Sequence, residues 1–199
     1  MFVAVPLAEA ARAAVRGLVD GVASDPRLAN AGRIRWAVTE NLHLTIRFLG
    51  ATAPDRVPEV VAAAEEAART ARPFPVRLAG AGAFPGPDRP RVVWLGIVEG
   101  DADLAALAGT LSDRLAGRGW EADTRPFRAH LTLGRADGVP EAGRAVAALA
   151  DVAERLDAAW TVDRLIVYQS DLGRGLARYR PLATALFGPG SLPGRPPLG

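Results

Sequence analysis

Hydrophobic residues recur along the chain with two periods, and each period predicts one kind of element. Apolar residues that alternate with polar ones, or form short apolar runs, predict strands at 2–7, 33–38, 43–49, 74–84, 91–98, 127–135, 159–170 and 179–187. Apolar residues three and four positions apart predict helices at 8–22, 55–72, 101–118 and 141–157. Asp101 or Asp103 is the expected cap of the third helix. Residues 188–199 contain four Pro and four Gly and predict a disordered tail.

The order of these elements predicts a single α+β domain at 1–187. Helices and strands alternate, but many connections between strands are short, which favours antiparallel pairing. Each half of the chain contains a strand with a His-Leu-Thr-aliphatic tetrapeptide, and this repeat predicts two similar lobes. The first residues lack a basic region and predict a strand rather than a signal peptide. No apolar run approaches the ~18 residues of a membrane span, so we expect no membrane segment.

Composition changes this picture in two respects. The chain has no Cys, which excludes disulfides and thiolate chemistry and fits a cytoplasmic location. All 24 basic residues are Arg, whose planar guanidinium suits phosphate and would suit a nucleic-acid ligand. GC-rich coding DNA accounts for the same Arg content without any ligand, and that is the simpler explanation.

The candidate chemistry is concentrated in the repeated tetrapeptide. The two histidines of the chain open the sequences His-Leu-Thr-Ile at 43–46 and His-Leu-Thr-Leu at 130–133. Residues i and i+2 of a strand point to the same face, so each motif presents an imidazole beside a hydroxyl. Two imidazoles are the smallest set that can supply one general base and one general acid near neutral pH.

Such a pair of motifs suits a phosphodiester substrate. One imidazole can take a proton from water while the other protonates the departing oxygen, and the hydroxyls of Thr45 and Thr132 can bind the non-bridging oxygens. A single His-x-Thr on a strand is usually structural, but a repeat that uses every His of the chain favours catalysis. No Asp, Glu or Cys stands at ligand spacing beside His43 or His130, so we expect no metal site.

The motifs and their surroundings resemble the two-histidine (2H) phosphoesterases, and within them the RNA 2′,3′-cyclic phosphodiesterases, also called 2′-5′ RNA ligases. The resemblance extends to about residue 187. Outside the tetrapeptides it includes the segments 2–5, 35–37, 40–42, 47–50, 82–85, 89–96, 127–128 and 169–172. Two positions depart from the family pattern: Ala129 replaces a Pro before the second His, and no Arg precedes Phe2.

The resemblance implies a two-lobed α+β fold of the LigT-like type, with two mainly antiparallel sheets, outer helices and a central cleft. It implies hydrolysis of an RNA 2′,3′-cyclic phosphate end to a 2′-phosphate without metal or cofactor, and 2′-5′ ligation as the reverse reaction. His43 would be the acid toward the 3′ oxygen and His130 the base on water, although the near-symmetry leaves the opposite order open. Thr45 and Thr132 would hold the phosphate, and Arg135 would add positive charge.

Further residues are candidates for substrate contact. Arg135 lies five positions after His130 and faces the other side of a regular strand, unless the strand bulges near Gly134. The candidate RNA contacts are Tyr179, Arg128, Arg125, Trp36 and Phe48. Core packing is the leading alternative for Trp36 and Phe48, and simple solvation is the alternative for the two arginines. We interpret Trp94, in an apolar run, as a core residue.

Two other functions remain open at this stage. The same chemistry could act on a small cyclic nucleotide or a 2′-5′ oligoadenylate, because the motifs would be shared. The chain could also be a non-catalytic RNA-binding module, which the Arg content would support but which needs no matched pair of imidazoles. We expect a monomer, because both motifs lie within one chain.

Overall fold

The computed structural model describes residues 1–29, 34–123, 126–171 and 177–188, and these ranges form an α+β fold. Four α-helices lie within them: Glu9–Ala23 (α1), Val57–Thr70 (α2), Asp101–Ala116 (α3) and Ala142–Ala153 (α4). The same ranges contain nine strands: Phe2–Pro6 (β1), Ile34–Trp36 (β2), His43–Phe48 (β3), Phe74–Phe84 (β4), Val92–Glu99 (β5), Leu131–Ala136 (β6), Ala159–Val162 (β7), Arg164–Asp171 (β8) and Arg178–Leu186 (β9).

The strands form an antiparallel sheet that joins two halves at one point. Their order is β7-β4-β5-β6-β3-β1-β8-β9, with β2 beside β6. The α+β class, the antiparallel pairing and the two halves confirm the sequence expectation. The two expected sheets are continuous, because β3 and β6 pair through Leu44 and Leu131. Leu44–Leu131 is the one register pair between β3 and β6 among the described residues.

Each half builds its tetrapeptide strand from the same kind of unit. In one half β1 is followed by α1, by the short strand β2 and then by β3, which pairs with β1. In the other half β5 is followed by α3 and then by β6, which pairs with β5. The matching order of elements is what an internal duplication would produce, and it places the two tetrapeptides at the centre of the sheet.

The core lies between the sheet and the helices. The aliphatic residues of both tetrapeptides are buried, namely Leu44, Ile46, Leu131 and Leu133. The helix α2 packs on β8 and β9, and α4 packs on β4. The histidines and threonines of the motifs alternate with these aliphatic residues and are only partly buried, as expected for the opposite face of the sheet. Among the helices described, none has the length and apolar character required to cross a membrane.

Several element boundaries differ from the sequence expectation. The strand expected at 127–135 begins at Leu131, so His130 lies immediately before β6. The strand expected at 159–170 is interrupted at Asp163, whose carboxylate accepts hydrogen bonds from the Arg164 side chain. Neither Asp101 nor Asp103 caps α3 through its side chain, because the cap is Gly100 in the left-handed conformation.

The C-terminal part of the domain ends on helix α2. Gly188, which the sequence assigns to the tail, donates its backbone N–H to the carbonyl oxygens of Ala68 and Ala71. The first residue of the expected tail is therefore bonded to the domain. The rest of the tail expected to be disordered, at 189–199, lies outside the described residues.

Both tetrapeptide strands carry a β-bulge at the fourth residue of the motif. The register of β1 with β3 skips Ile46, and the register of β5 with β6 skips Leu133. An extra residue reverses the alternation of side chains beyond it. The bulges therefore bring Phe48 and Arg135, each five residues after its His, to the same face as the histidines. Phe48 and Arg135 are both exposed, as this reversal requires.

Gly134 follows the bulge in β6 and lies where β2 approaches closely. A Cβ atom on Gly134 would lie 2.8 Å from the carbonyl oxygen of Arg35. Because that neighbour is a backbone atom of a paired strand, it cannot move aside without disturbing the β2–β6 ladder. The sequence therefore requires glycine here for the fit between two strands.

We expect Gly134→Ala to lower the free energy of unfolding by about 1–3 kcal/mol, measured by urea denaturation, because the added methyl overpacks this contact. The matched control is Gly17→Ala on α1, where a Cβ meets nothing within 4 Å. The control should raise stability by about 0.5–1 kcal/mol. A Gly134→Ala protein as stable as the wild type would contradict the close approach of β2 and β6.

Candidate active site

The four polar residues of the tetrapeptides are arranged around the pair Leu44–Leu131. Continuing this antiparallel register by one residue in each direction sets His43 against Thr132 and Thr45 against His130. All four side chains project from the face opposite to the buried leucines. The structure therefore brings the two motifs together with near two-fold symmetry, each imidazole across from the hydroxyl of the other motif.

Both imidazoles are held in the same way. Nδ1 of His43 lies 2.6 Å from the carbonyl oxygen of Asn41, and Nδ1 of His130 lies 2.8 Å from that of Arg128. A carbonyl oxygen can only accept, so Nδ1 carries the proton and donates in both residues. The lone pair of each neutral ring is therefore on Nε2. This tautomer leaves both Nε2 atoms available to take or give a proton.

The threonine hydroxyls are available to a ligand. Within the described part of the chain, neither the Thr45 nor the Thr132 hydroxyl hydrogen-bonds to another residue. Thr45 and His130 both line an open cavity of about 1040 Å³. An unpaired hydroxyl that faces a cavity beside an imidazole, as Thr45 does beside His130, can bind an oxygen of an anion.

Three aromatic rings surround His43. The ring of Phe2 stacks on the imidazole at 4.7 Å between centroids, and Tyr179 meets it edge-on at 5.3 Å. Tyr168 lies 6.3 Å away and itself stacks on Phe2. These contacts come from β1, β8 and β9, so the lobe that carries His43 encloses it on several sides. Phe2 and Tyr168 were not predicted as site residues, because local sequence pattern does not show that β1 pairs with both β3 and β8.

Enclosure changes the protonation of His43. Burial lowers the pKa of His43, the hydrogen bond to the Asn41 carbonyl raises it, and the positive charge of His130 lowers it further. The net direction is downward. This populates the neutral form that a general base needs, but it also makes the protonated form a stronger acid. The pKa direction alone therefore leaves the order of acid and base open.

His130 has fewer aromatic neighbours than His43. Phe84 meets His130 edge-on at 5.2 Å and also packs against Trp94. Trp94 stands opposite Thr132 in the β5–β6 register, so its ring is at the site rather than in the core as we expected. Gly82 makes room for it, because a Cβ there would lie 2.4 Å from the indole.

A short turn before the first motif fixes its position. The carbonyl of Asn41 holds His43, while the Asn41 side-chain amide donates to the carbonyl oxygen of Ala177 at 2.7 Å. Arg12 of α1 donates to the neighbouring Glu40 carbonyl. The turn is thereby tied to a helix on one side and to the start of β9 on the other. The sequence signal for this arrangement was the segment 40–42, which we recognised only as part of the resemblance.

The remaining candidate residues fall into three groups. Phe48 and Arg128 line the cavity, and Phe48 is 67% exposed, which excludes the core role preferred from the sequence. Tyr179 contacts His43, and Arg135 stands on the site face with no ion pair to another described residue. Trp36 packs against the hydrophobic core beside Gly134. Arg125 lies outside the described residues.

Comparison with known proteins identifies the family of this chain. A sequence profile described as the 2′-5′ RNA ligase superfamily matches residues 9–174. The chain belongs to this superfamily. An RNA 2′,3′-cyclic phosphodiesterase of Archaeoglobus fulgidus is 33% identical over 135 residues, covering 68% of this chain and 71% of that protein. One from Geobacillus stearothermophilus is 28% identical over 176 residues, covering 86% of this chain but 52% of that protein.

The likeness to other members of the 2′-5′ RNA ligase superfamily extends to the fold. The crystal structure of apo LigT of Escherichia coli superposes with a TM-score of 0.72 at 27% identity, covering 94% of this chain and 96% of LigT. A crystal structure from Thermus thermophilus gives the same TM-score at 26% identity, covering 94% of this chain and 97% of that one. The LigT-like fold expected from the sequence is thus confirmed.

We expect His43 to titrate below the ordinary His value of about 6.5. NMR of the imidazole carbons measures this directly, because the chain has only two His and His130→Gln assigns both signals. In His130→Gln the pKa of His43 should rise toward the ordinary value, since a neighbouring positive charge is removed. A midpoint for His43 at or above the ordinary value in the wild type would contradict its enclosure.

Proposed function

We propose that this chain hydrolyses RNA 3′ ends that carry a 2′,3′-cyclic phosphate, giving a 2′-phosphate, with 2′-5′ ligation as the reverse reaction. The observation that carries the proposal is the arrangement of His43, Thr45, His130 and Thr132 about one leucine pair. Each imidazole is fixed through Nδ1 to a backbone carbonyl. Two positioned proton carriers and two unpaired hydroxyls are the groups that opening a cyclic phosphodiester requires.

The reaction needs one proton to leave and one to arrive. Nε2 of one imidazole removes a proton from water as the water oxygen bonds to phosphorus. The bond from phosphorus to the 3′ oxygen breaks, and the other imidazole protonates that oxygen. The hydroxyls of Thr45 and Thr132 donate to the non-bridging oxygens as negative charge grows on them. In the described ranges no three His, Asp or Glu side chains lie close enough together to hold a metal ion.

The relatives support this choice of substrate. Both curated relatives described above are named RNA 2′,3′-cyclic phosphodiesterases. LigT of E. coli has been crystallised with phosphate and with 3′-AMP. A phosphate and a nucleotide are the two parts of the ligand that the tetrapeptides and the surrounding aromatic residues suit in this chain.

Arg135 and Phe48 occupy equivalent positions in the two lobes and have different roles in binding the substrate. Arg135 stands five residues after His130, where the bulge turns it to the site face, and we assign it to the phosphate. Phe48 occupies the equivalent position after His43 and is exposed, so it can stack on a base. Arg128 and Tyr179 are further candidates for RNA contact. The monomeric state and the cytoplasmic location remain predictions from the sequence.

Replacing either histidine should abolish turnover. We expect His43→Ala and His130→Ala each to lower kcat by about 10²–10⁴-fold, because each removes one proton-transfer group. The assay is incubation of an RNA oligonucleotide ending in a 2′,3′-cyclic phosphate, in EDTA, with mapping of the product. Thr184→Ala, at an exposed position on β9, is the control and should retain full activity. An active His130→Ala protein would refute the proposed mechanism.

A substrate with sulfur in place of the 3′ bridging oxygen identifies the acid. A thiolate departs without protonation, so this substrate should bypass the acid but still require the base. If His43 is the acid, as the resemblance implies, His43→Ala regains activity on the sulfur substrate and His130→Ala does not. The opposite result reverses the assignment. Rescue of neither variant would contradict general acid catalysis of the leaving step.

A further inference from the structure

The cavity at the tetrapeptides extends well beyond the four catalytic candidates. It is lined by residues 45–48 of β3 and Leu49 after them, by Arg56, by α3, by the segments 119–123 and 126–128, and by His130, and we call it the β3–α3 cavity. Its volume of about 1040 Å³ lies at the upper end of the roughly 300–1,000 Å³ typical of small-ligand pockets. It therefore has room for more than one cyclic phosphate and its ribose.

The shape of the β3–α3 cavity follows from the fold. The strands β3 and β6 pair only at Leu44–Leu131 among the described residues, so the chain segments beyond that pair diverge. The helix α3 faces the gap with small side chains at Ala105, Ala108, Gly109 and Ser112. The strands diverge over the small residues of α3. This leaves a trough that begins at Thr45 and His130.

A buried donor lines this trough. The Arg47 side chain is 10% exposed, donates through one terminal nitrogen to the carbonyl of Glu121, and lies 3.4 Å from Asp123 through the other. Its Nε–H is buried and has no hydrogen-bond partner among the described residues. Burial closes the Nε–H off from the cavity, so a phosphate oxygen would bind the accessible edge of the Arg47 guanidinium that lines the cavity.

A guanidinium group stacked on an indole ring forms another part of the cavity wall. The guanidinium of Arg56 lies 4.2 Å over the ring of Trp120, and both residues line the cavity. Glu59 holds the pair in place, since it accepts from Arg56 at 2.8 Å and from the Trp120 indole at 3.3 Å. A guanidinium held flat in this way can stack on a nucleobase.

We propose that the β3–α3 cavity binds the nucleotide immediately 5′ of the one that carries the cyclic phosphate. Its internucleotide phosphate lies at Arg47 and its base lies against the Arg56–Trp120 pair. Three arginines line the cavity: Arg47 is paired with Asp123 and Arg56 with Glu59, and Arg128 makes no ion pair to another described residue, so it adds an uncompensated positive charge. The proposal rests on the proposed function and narrows its substrate to an RNA chain rather than a mononucleotide.

The test compares two substrates on the whole protein. One is a short oligoribonucleotide that ends in a 2′,3′-cyclic phosphate, and the other is the corresponding nucleoside 2′,3′-cyclic phosphate. Wild-type kcat/KM should be about tenfold or more higher for the oligoribonucleotide, because an upstream base and phosphate are bound as well. A wild-type ratio near one would overturn the proposal.

Gly109→Phe fills the cavity without disturbing the backbone, since a Cβ on Gly109 meets nothing within 4 Å. It should lower the ratio of the two kcat/KM values about tenfold, since it removes the upstream contribution. Gly17→Phe is the matched control, because Gly17 is also helical and its Cβ also meets nothing within 4 Å, but it does not line the cavity. The control should keep the wild-type ratio. An unchanged ratio in Gly109→Phe would overturn the proposal.

A binding measurement distinguishes an error in the proposed subsite from an error in the proposed function. If the wild type turns over neither substrate, the proposed function fails, and affinity for an unreactive oligoribonucleotide with a 3′-phosphate then decides the subsite. Fluorescence anisotropy should show about tenfold weaker binding by Gly109→Phe than by the wild type and Gly17→Phe. Equal affinity in all three proteins would overturn the subsite.

Discussion

The contact between Leu44 and Leu131 determines where the polar groups of the two motifs lie. Both leucines are buried to 1% or less exposure, and theirs is the one register pair that joins β3 to β6 in the described ranges. Full burial of a leucine side chain contributes about 1.5–3 kcal/mol, so the hydrophobic effect fixes this junction. This junction therefore also determines the positions of the residues on either side of the leucines, which are two histidines and two threonines.

The two β-bulges lie at equivalent positions of a nearly symmetric sheet, but they bring chemically different residues to the site. They occur at Ile46 and Leu133, the same position of each motif, and reverse the side-chain alternation beyond it. One lobe then presents Phe48 at the site and the other presents Arg135. The two motifs therefore supply matching imidazoles and hydroxyls, while the residues after the bulges, an aromatic ring in one lobe and a guanidinium in the other, differ in chemistry.

Much of this structure could be predicted from local pattern, because strands and helices follow the period of their apolar residues. The sequence placed β3 and the aliphatic face of both motifs correctly. It could not show that β3 and β6 are neighbours, because pairing between distant strands depends on packing. It could not decide the face of Phe48 or Arg135, since a single skipped residue reverses it. Phe2 and Phe84 were not predicted as site residues because their contacts depend on strand pairing. The exposure of Phe48 was not predicted because it depends on the bulge.

The proposed mechanism depends on two imidazoles that exchange protons with the substrate, one as acid and one as base. The decisive experiment is the pH dependence of wild-type kcat/KM on a 2′,3′-cyclic phosphate substrate in EDTA. We expect a bell-shaped profile, because one imidazole must be neutral and the other protonated, with the lower limb reflecting the depressed pKa of His43. A rate that rises continuously with pH, without a descending limb, would contradict paired acid–base catalysis by His43 and His130.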